Sequence, residues 1–254
     1  MKTLLHEMSW VEAEKYFAKN DVAILPVGST EQHGPHNPLG TDHLIAQAIA
    51  EEAAKRTNTV CLPVIPFGVS AHHRQFWGTI FIEPKVFGDY VMQVLLSLKY
   101  YGVRKVLVVN GHGGNAAALL QAARKMREQQ GMFVSVFQWW PAAGKLLPNL
   151  FDSEERGHAA AEETSMNLAL HPKLVNMKAA VDEKPRKPRV ESEGVIGWIF
   201  DTADYTKSGV FGVASSASTE KGKKDFEAVV EQLVKHVNTM KKAKMKDLLP
   251  KNPV

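Results

Sequence analysis

The chain has 254 residues, of which 44% are hydrophobic and 23% are charged, and it carries a formal net charge of +4. This length allows one large α/β domain or two small ones, and since no break in composition requires two, we expect a single α/β domain over residues 1–254. The composition is ordinary for a soluble globular protein with a substantial core. Many of the basic residues lie in two short segments, residues 184–189 and 241–246, without interleaved aromatic residues. That pattern favours solvated surface and argues against a nucleic-acid-binding face.

The cysteine content and the apolar runs define the expected compartment. Cys61 is the only cysteine, which excludes an intrachain disulfide, and its neighbours Val60 and Leu62 predict a buried strand position. The amino terminus lacks the apolar core of a signal peptide, and no uninterrupted apolar stretch reaches about 18 residues. We therefore expect a cytoplasmic protein without a membrane span.

The first elements alternate between helix and strand. Ser9 opens a capping-box pattern that predicts a short helix through about residue 19. Residues 21–27 are typical of a buried strand. Apolar residues at helical spacing over residues 44–53 then predict a second helix, capped by Thr41 or Asp42.

The alternation continues along the rest of the chain. The further predicted elements are strands over residues 59–65, 105–109 and 132–138 and helices over residues 86–98, 116–129, 162–170 and 226–237. Such alternation predicts an α/β fold with a mostly parallel central sheet flanked by helices on both faces. The weakly periodic segment 181–218 is long enough to carry a binding loop or a subunit contact.

Acidic and imidazole side chains follow the predicted strands or precede a helix. They are Glu31, His33 and Asp42 after the first strand, His112 after a later strand, and His158 and Glu163 near a helix start. In a parallel sheet, strand ends of this kind meet at one edge, where ligands usually bind. Carboxylate and imidazole groups are the ligands that Zn²⁺ and similar divalent ions prefer. The combination predicts a metal centre.

Other histidines have less specific surroundings. His36 and His43 are interpreted as groups that brace the loop. His72 and His73 lie in a loop, where a contact with substrate and a plain surface position are equally compatible with the sequence.

Four motifs together resemble the creatininase (creatinine amidohydrolase) family. They are residues 28–36, 41–43, 110–115 and 158–165, with further similarity at 66–70, 78–80, 209–212 and 220–222. The resemblance covers nearly the whole chain. It implies a creatininase-like α/β sandwich, a dinuclear metal site, hydrolysis of a C–N bond in a small amide, and a homohexamer.

The resemblance also implies roles for single residues. Glu31 and His33 match ligands of two different metal ions, Asp42 matches the carboxylate that bridges them, and His112 matches a ligand of the first ion. Glu163 matches a glutamate that serves as the remaining ligand, or otherwise as a catalytic group that orients the proton donor. The cofactors implied are two divalent ions per chain, Zn, Mn or Fe.

Near the predicted proton donor, the chain departs from the family pattern. His158 matches the histidine assigned to proton transfer. Creatininase itself places a glutamate at the position of Gly114 and a bulky aromatic residue at Gly113, and a further acidic group is missing at Ala161 unless Glu162 replaces it. These differences imply a pocket of different shape, which disfavours creatinine itself as the substrate.

Four residues are candidate substrate contacts. Gly113 leaves space in the predicted pocket, and Trp139 and Trp140 could stack on a flat substrate. Core packing or a subunit interface is an equally good interpretation of the two tryptophans. Ser70 could hydrogen-bond substrate or only form its turn.

The function predicted is a metal-dependent amidohydrolase acting on a small cyclic amide or formamide. Two metal ions would activate a hydroxide, and His158 would pass a proton to the leaving nitrogen. One alternative is a dinuclear phosphoesterase, weakened by the lack of a phosphate-cradling glycine loop. The other is a non-catalytic, metal-containing oligomeric binding protein, which the absence of acidic groups at Gly114 and Ala161 would permit.

Overall fold

A computed structural model describes residues 2–186 and 199–249. At its centre lies a parallel four-stranded sheet in the order β2-β1-β3-β4. The strands are β1 (Val22–Val27), β2 (Val60–Cys61), β3 (Lys105–Asn110) and β4 (Phe133–Gln138). The predicted parallel sheet is confirmed.

Helices connect and cover these strands. The α-helices of the described residues are α1 (Trp10–Phe17), α2 (Thr41–Thr57), α3 (Pro84–Tyr100), α4 (Ala116–Gln130), α5 (Trp139–Leu146), α6 (Ala161–Leu170), α7 (Thr202–Tyr205), α8 (Thr219–Lys242) and α9 (Met245–Leu248). Short 3₁₀ turns lie at Leu5–Glu7, Ala71–His73, Gly113–Asn115, Pro172–Leu174 and Met177–Ala179.

Both faces of the sheet are buried by helices. Successive strand residues point to opposite sides, so alternate residues of each strand pack on opposite faces. On one side Ile24 and Leu107 pack against α2 and α8. On the other side Leu25 and Val108 pack against α1, α3 and α4. The predicted arrangement of helices on both faces is confirmed, and it explains why the strands are apolar throughout.

The predicted second strand is shorter than expected. Leu62 and Ile65 still donate backbone hydrogen bonds to Ile24 and Pro26 of β1 at 2.9 and 3.1 Å. Pro63 lies between them and has no N–H to donate, so the ladder is interrupted and regular pairing is limited to β2.

Of the two helix N-caps discussed for α1 and α2, the first is confirmed and the second is wrong. At α1 the Ser9 side chain accepts from the Glu12 backbone N–H, which confirms the capping box. At α2 the cap prediction is wrong: Gly40 is the N-cap, Thr41 donates to the Pro38 carbonyl oxygen, and Asp42 is turned toward histidines.

Two buried polar side chains connect distant elements. The Tyr16 hydroxyl donates to the Val22 carbonyl oxygen and accepts from the Val60 N–H, both at 3.0 Å, and so links α1 to two strands. The Lys105 ammonium is buried and donates to the carbonyl oxygens of Met240 and Ala243, both at 3.0 Å. It also pairs with Asp21 at 3.1 Å, so the start of β3 is tied to the end of α8.

Some sequence predictions concern residues outside the described part. Residues 187–198 lie there, and they include the middle of the weakly periodic segment 181–218 and half of the basic segment 184–189. Within the described residues, Lys184 pairs with Glu154 at 2.6 Å, and Cys61 is buried as expected. No helix among residues 2–186 and 199–249 has the length and apolar character that a membrane crossing would require.

Candidate metal centre

The carboxyl ends of β1 and β3 place the candidate ligands side by side. Val27 and Asn110 are register partners, so the loops that carry Glu31 and His112 leave the sheet at adjacent points. A Cβ atom at Gly111 would lie 2.2 Å from the Asp42 carbonyl oxygen, and glycine is therefore required for the β3 loop to approach α2 so closely.

Asp42 connects two groups of ligand atoms. Its Oδ1 lies 3.1 Å from His33 Nε2, and its Oδ2 lies 3.1 Å from His112 Nδ1. Glu31 Oε1 is 3.2 Å from His112 Nδ1, and Glu163 Oε2 is 3.7 Å from His33 Nε2. The structure thus brings together all five residues predicted as ligands, with Glu31 and His112 on one side of Asp42 and His33 and Glu163 on the other.

Backbone carbonyls orient both imidazoles. His33 Nδ1 lies 3.2 Å from the Glu31 carbonyl oxygen, and His112 Nε2 lies 2.9 Å from the Val69 carbonyl oxygen. Because a carbonyl oxygen only accepts, each of these ring nitrogens donates a proton to it. In a neutral ring the opposite nitrogen, which faces Asp42, then carries the lone pair that a metal ion needs.

Unpartnered polar atoms provide a test of whether a metal ion fits. Both Glu31 carboxylate oxygens, His33 Nε2 and Asp42 Oδ2 are buried and have no hydrogen-bond partner among the described residues. Buried polar atoms are normally hydrogen-bonded, since desolvation without a partner is costly. Carboxylate oxygen and imidazole nitrogen suit Zn²⁺ and Mn²⁺, so this donor set fits divalent cations.

Burial and neighbouring charges shift the pKa values of the carboxylates and the imidazoles in this cluster. Burial raises the pKa of Glu31, with a further contribution from the Asp42 charge, and burial raises the pKa of Glu163 to about 7. For His33, burial acts against the charged form, but the Asp42 and Glu163 carboxylates outweigh it and raise the pKa to about 10. Carboxylates and imidazoles thus compete for protons in one buried cluster, and a cation bound there would release protons.

The structure shows which of the two neighbouring glutamates, Glu162 or Glu163, faces the cluster. Glu162 forms an ion pair with Arg156, whereas the carboxylates that pair with His33 among the described residues are those of Asp42 and Glu163. Gly114 cannot be replaced by a glutamate without rearrangement, because a Cβ atom there would lie 2.1 Å from the Val69 carbonyl oxygen. Glu163, whose Oε2 also accepts from the Ala159 N–H at 2.6 Å, is the glutamate that faces the cluster.

His73 and Gln32 belong to the site, although the sequence predicted neither of them as a ligand or a catalytic group. His73 Nε2 lies 3.3 Å from Glu31 Oε1, and its ring stacks on His158 with centroids 4.5 Å apart. The Gln32 side-chain nitrogen lies 2.8 Å from His73 Nδ1 and 2.9 Å from His158 Nε2. Since His73 is buried, a plain surface position is wrong for it. The one signal available was the position of Gln32 between Glu31 and His33.

His158 lies next to the predicted ligands. Its ring centroid is 4.3 Å from that of His33. Nitrogen atoms of His158 also belong to two of the groups whose ligand atoms all lie within 4.8 Å of one another, one with His33 and Glu163 and one with Glu31 and His73. Its predicted part in proton transfer is compatible with this position.

A cavity of about 240 Å³ lies over the cluster. Gly113 and Trp140 line it, and a Cβ atom at Gly113 would meet only Trp140, at 3.9 Å. Trp139 does not line it: this side chain is 1% exposed and packs in the core. Ser70 is also buried away from it, because its hydroxyl accepts from Ser29 and donates to the Ile80 carbonyl oxygen. The structure therefore does not support substrate contacts for Trp139 and Ser70.

The remaining loop histidines divide into two kinds. His36 Nε2 lies 2.9 Å from the Thr164 hydroxyl, and His43 Nδ1 donates to the Ser29 carbonyl oxygen at 2.9 Å. Both brace the loop, as predicted. His72 instead lines the cavity and stacks parallel to His112, with centroids 5.6 Å apart.

Comparisons with known proteins identify the family of this chain. The family model for creatininase (creatinine amidohydrolase) matches residues 6–237. The chain is 30% identical to the 3-dehydro-scyllo-inosose hydrolase of Thermotoga maritima, covering 85% of this chain and 76% of that protein. It is 30% identical to the creatinine amidohydrolase of Pseudomonas putida, covering 89% and 92%. A solved structure of creatininase with Mn superposes with a TM-score of 0.82 and 27% identity, covering 96% and 100%. The chain belongs to the creatininase family of amidohydrolases.

Proposed function

We propose that this protein hydrolyses a C–N bond in a small cyclic amide or formamide with the help of two divalent cations. The observation that carries the proposal is the position of Asp42, which presents one carboxylate oxygen to each of two ligand groups. A carboxylate between two such groups suits a two-metal site.

The residues present could hold both cations. Glu31, His112 and Asp42 Oδ2 would bind one, and His33, Glu163 and Asp42 Oδ1 would bind the other. When bound, a pair of Zn²⁺, Mn²⁺ or Fe²⁺ ions would polarise an amide carbonyl and lower the pKa of a water molecule. The glutamate missing at Gly114 does not remove the second group, because Glu163 completes it.

His158 is the proposed proton carrier. It lines the cavity beside His33, and its Nε2 lies 2.9 Å from the Gln32 backbone oxygen, an atom that can only accept. The Gln32 side-chain nitrogen, a donor, also lies 2.9 Å from Nε2, so the two contacts fix the orientation of the ring beside the reacting groups. Amide nitrogen is a poor anionic leaving group, and a proton delivered at this point would assist its departure.

The cavity determines how large a substrate can be. About 240 Å³ accommodates a small molecule, and Trp140 and Phe211 provide aromatic surface at its wall. The absence of a side chain at Gly113 widens the wall next to Trp140. These features support a small amide as the substrate.

Metal analysis combined with a substrate panel tests the proposal. Protein purified without chelator should contain close to two divalent ions per chain. With Zn²⁺ or Mn²⁺ added, it should hydrolyse at least one member of a panel of cyclic ureas, lactams and formamides. Asp42→Asn serves as the control and should lose both metal and turnover. One ion or none in the wild type, together with no hydrolysis across the panel, would contradict the proposal.

Assembly and location are separate proposals. The family resemblance suggests six identical chains, which light scattering of purified protein would measure. A cytoplasmic location, expected from the sequence, likewise stays a prediction.

A further inference from the structure

We propose that Arg156 forms an anion-binding subsite in the cavity over the metal centre, so that the amide substrate carries a carboxylate or phosphate group. Arg156 lies in the segment between α5 and α6, and it lines the same cavity as the candidate ligands Glu31 and Asp42. The inference rests on the proposed function, because it assigns a second recognition point to the same substrate.

The guanidinium is held in place by the protein itself. Its Nε donates to the Phe151 carbonyl oxygen at 3.1 Å, and its Nη2 donates to the Leu147 carbonyl oxygen at 2.8 Å. Nη1 pairs with the Glu162 carboxylate. A Cβ atom at Gly144 would lie 3.3 Å from Nη1, so glycine on α5 leaves room for this position. A group fixed in this way loses little conformational entropy when a ligand binds.

Hydrogen-bonding capacity remains on the side chain. A guanidinium has five N–H groups. In the described part of the chain, Arg156 uses one on each nitrogen, which leaves one on Nη1 and one on Nη2. The Arg156 side chain is 20% exposed and lines the cavity, so part of it is open to a ligand there. Guanidinium N–H groups are donors from which carboxylate and phosphate oxygens accept strong, charge-assisted hydrogen bonds.

The charge of the loaded cavity also favours an anion. Two divalent cations and Arg156 would offset the four carboxylates of the described residues that line the cavity and would leave one positive charge before a hydroxide forms. The carboxylates are those of Glu31, Asp42, Glu162 and Glu163. Asp225 is buried and does not line the cavity, and burial raises its pKa to about 7 in spite of Arg156. Asp225 therefore neutralises the guanidinium only in part at neutral pH.

A matched pair of ligands tests the subsite. N-formylglycine and N-formylglycinamide are formamides of nearly equal size, and only the first carries a carboxylate. Titration calorimetry on the metal-loaded protein should show at least tenfold tighter binding of N-formylglycine, in line with a charge-assisted hydrogen bond. The phosphonate analogue of N-formylglycine distinguishes a phosphate-type preference from a carboxylate-type preference.

Variants of Arg156 show whether this residue causes the tighter binding of N-formylglycine. In Arg156→Gln the ratio of the affinities for N-formylglycine and N-formylglycinamide should fall to near one, while the affinity for the neutral amide stays the same. Arg156→Lys should keep part of the preference for N-formylglycine. Arg124→Gln on the outer face of α4, where the side chain is 71% exposed, is the control and should behave as the wild type. If Arg156→Gln fails to fold, as judged by circular dichroism, Arg156→Lys and the wild-type pair decide the question.

Two outcomes would overturn the assignment. One is equal affinity of the wild type for the two ligands. The other is an unchanged preference in Arg156→Gln, which would place the carboxylate on the metal ions. Binding does not require turnover, so a lack of hydrolysis would contradict the proposed function and leave the anion preference to be judged by itself.

Discussion

Glu162 and Glu163 are neighbours in the sequence but face different partners, and they form a matched pair for mutation. Glu163→Gln should lose the second metal ion, because the carboxylate that faces His33 is then replaced by a neutral amide, which is a weaker ligand. Glu162→Gln should keep both ions, since Glu162 is paired with Arg156. Elemental analysis of the two purified variants measures this. Two ions in Glu163→Gln would show that Glu163 is not a ligand.

His158 provides a test of proton transfer that is separate from metal binding. His158→Ala should retain both metal ions and lose roughly 10²–10⁴-fold in turnover, the range typical of a general acid or base. Steady-state kinetics on a substrate from the panel, with metal content measured in parallel, checks this. Turnover at the wild-type rate would show that another group delivers the proton.

At the scale of residues, ligand chemistry was predictable and partner contacts were not. The five candidate ligands could be chosen because carboxylates and imidazoles followed strand ends. His73 could not, because its contacts with Glu31 and Gln32 connect residues about 40 positions apart. Asp42 was predicted as a ligand and also as a possible helix cap, and only the cap is wrong, since Gly40 is the N-cap and the Asp42 carboxylate faces His33 and His112.

At the scale of elements, Tyr16 connects α1 to β1 and β2 with one hydroxyl. Tyr16→Phe removes this hydroxyl and leaves the Val22 carbonyl and the Val60 N–H buried without that partner. The free energy of unfolding should fall by about 1–3 kcal/mol. Tyr100→Phe, at a position 85% exposed, is the control and should change it by less than about 0.5 kcal/mol. Denaturant titration measures both variants, and equal effects would contradict the role of the hydroxyl.

Proline positions explain two differences between predicted and observed elements. Pro63 interrupted the predicted second strand, because it cannot donate to the ladder with β1. Pro141 had the opposite effect, since α5 was not predicted and yet forms around it. Pro141 lies in the first turn of α5, where its missing N–H would have no partner within the helix. Hydrophobic periodicity could not distinguish these two situations.

At the scale of the whole molecule, metal binding should contribute to stability. The buried carboxylates of Glu31 and Asp42 compete for protons with nearby imidazoles, and cations would compensate their charge instead. Ions that bind only the folded state at about 100 times Kd add about 2.7 kcal/mol. Zn²⁺ or Mn²⁺ should therefore raise Tm by about 5–10 °C over chelator-treated protein.

Differential scanning calorimetry with and without chelator measures this shift. Asp42→Asn should show a much smaller shift on adding metal, because it lacks the carboxylate shared by the two ligand groups. An equal shift in the variant would indicate that the ions act elsewhere on the surface.

Lys105 sets a limit on how far the chain can be shortened. Its ammonium is buried at the edge of the sheet opposite the metal centre, where the Met240 and Ala243 carbonyls accept from it. Proteolytic trimming ahead of residue 240 would remove both acceptors and leave Asp21 as the remaining described partner. A buried cation deprived of its acceptors is strongly destabilising. A trimmed chain would keep every candidate ligand and still unfold, beginning at the end of the sheet opposite the metal centre.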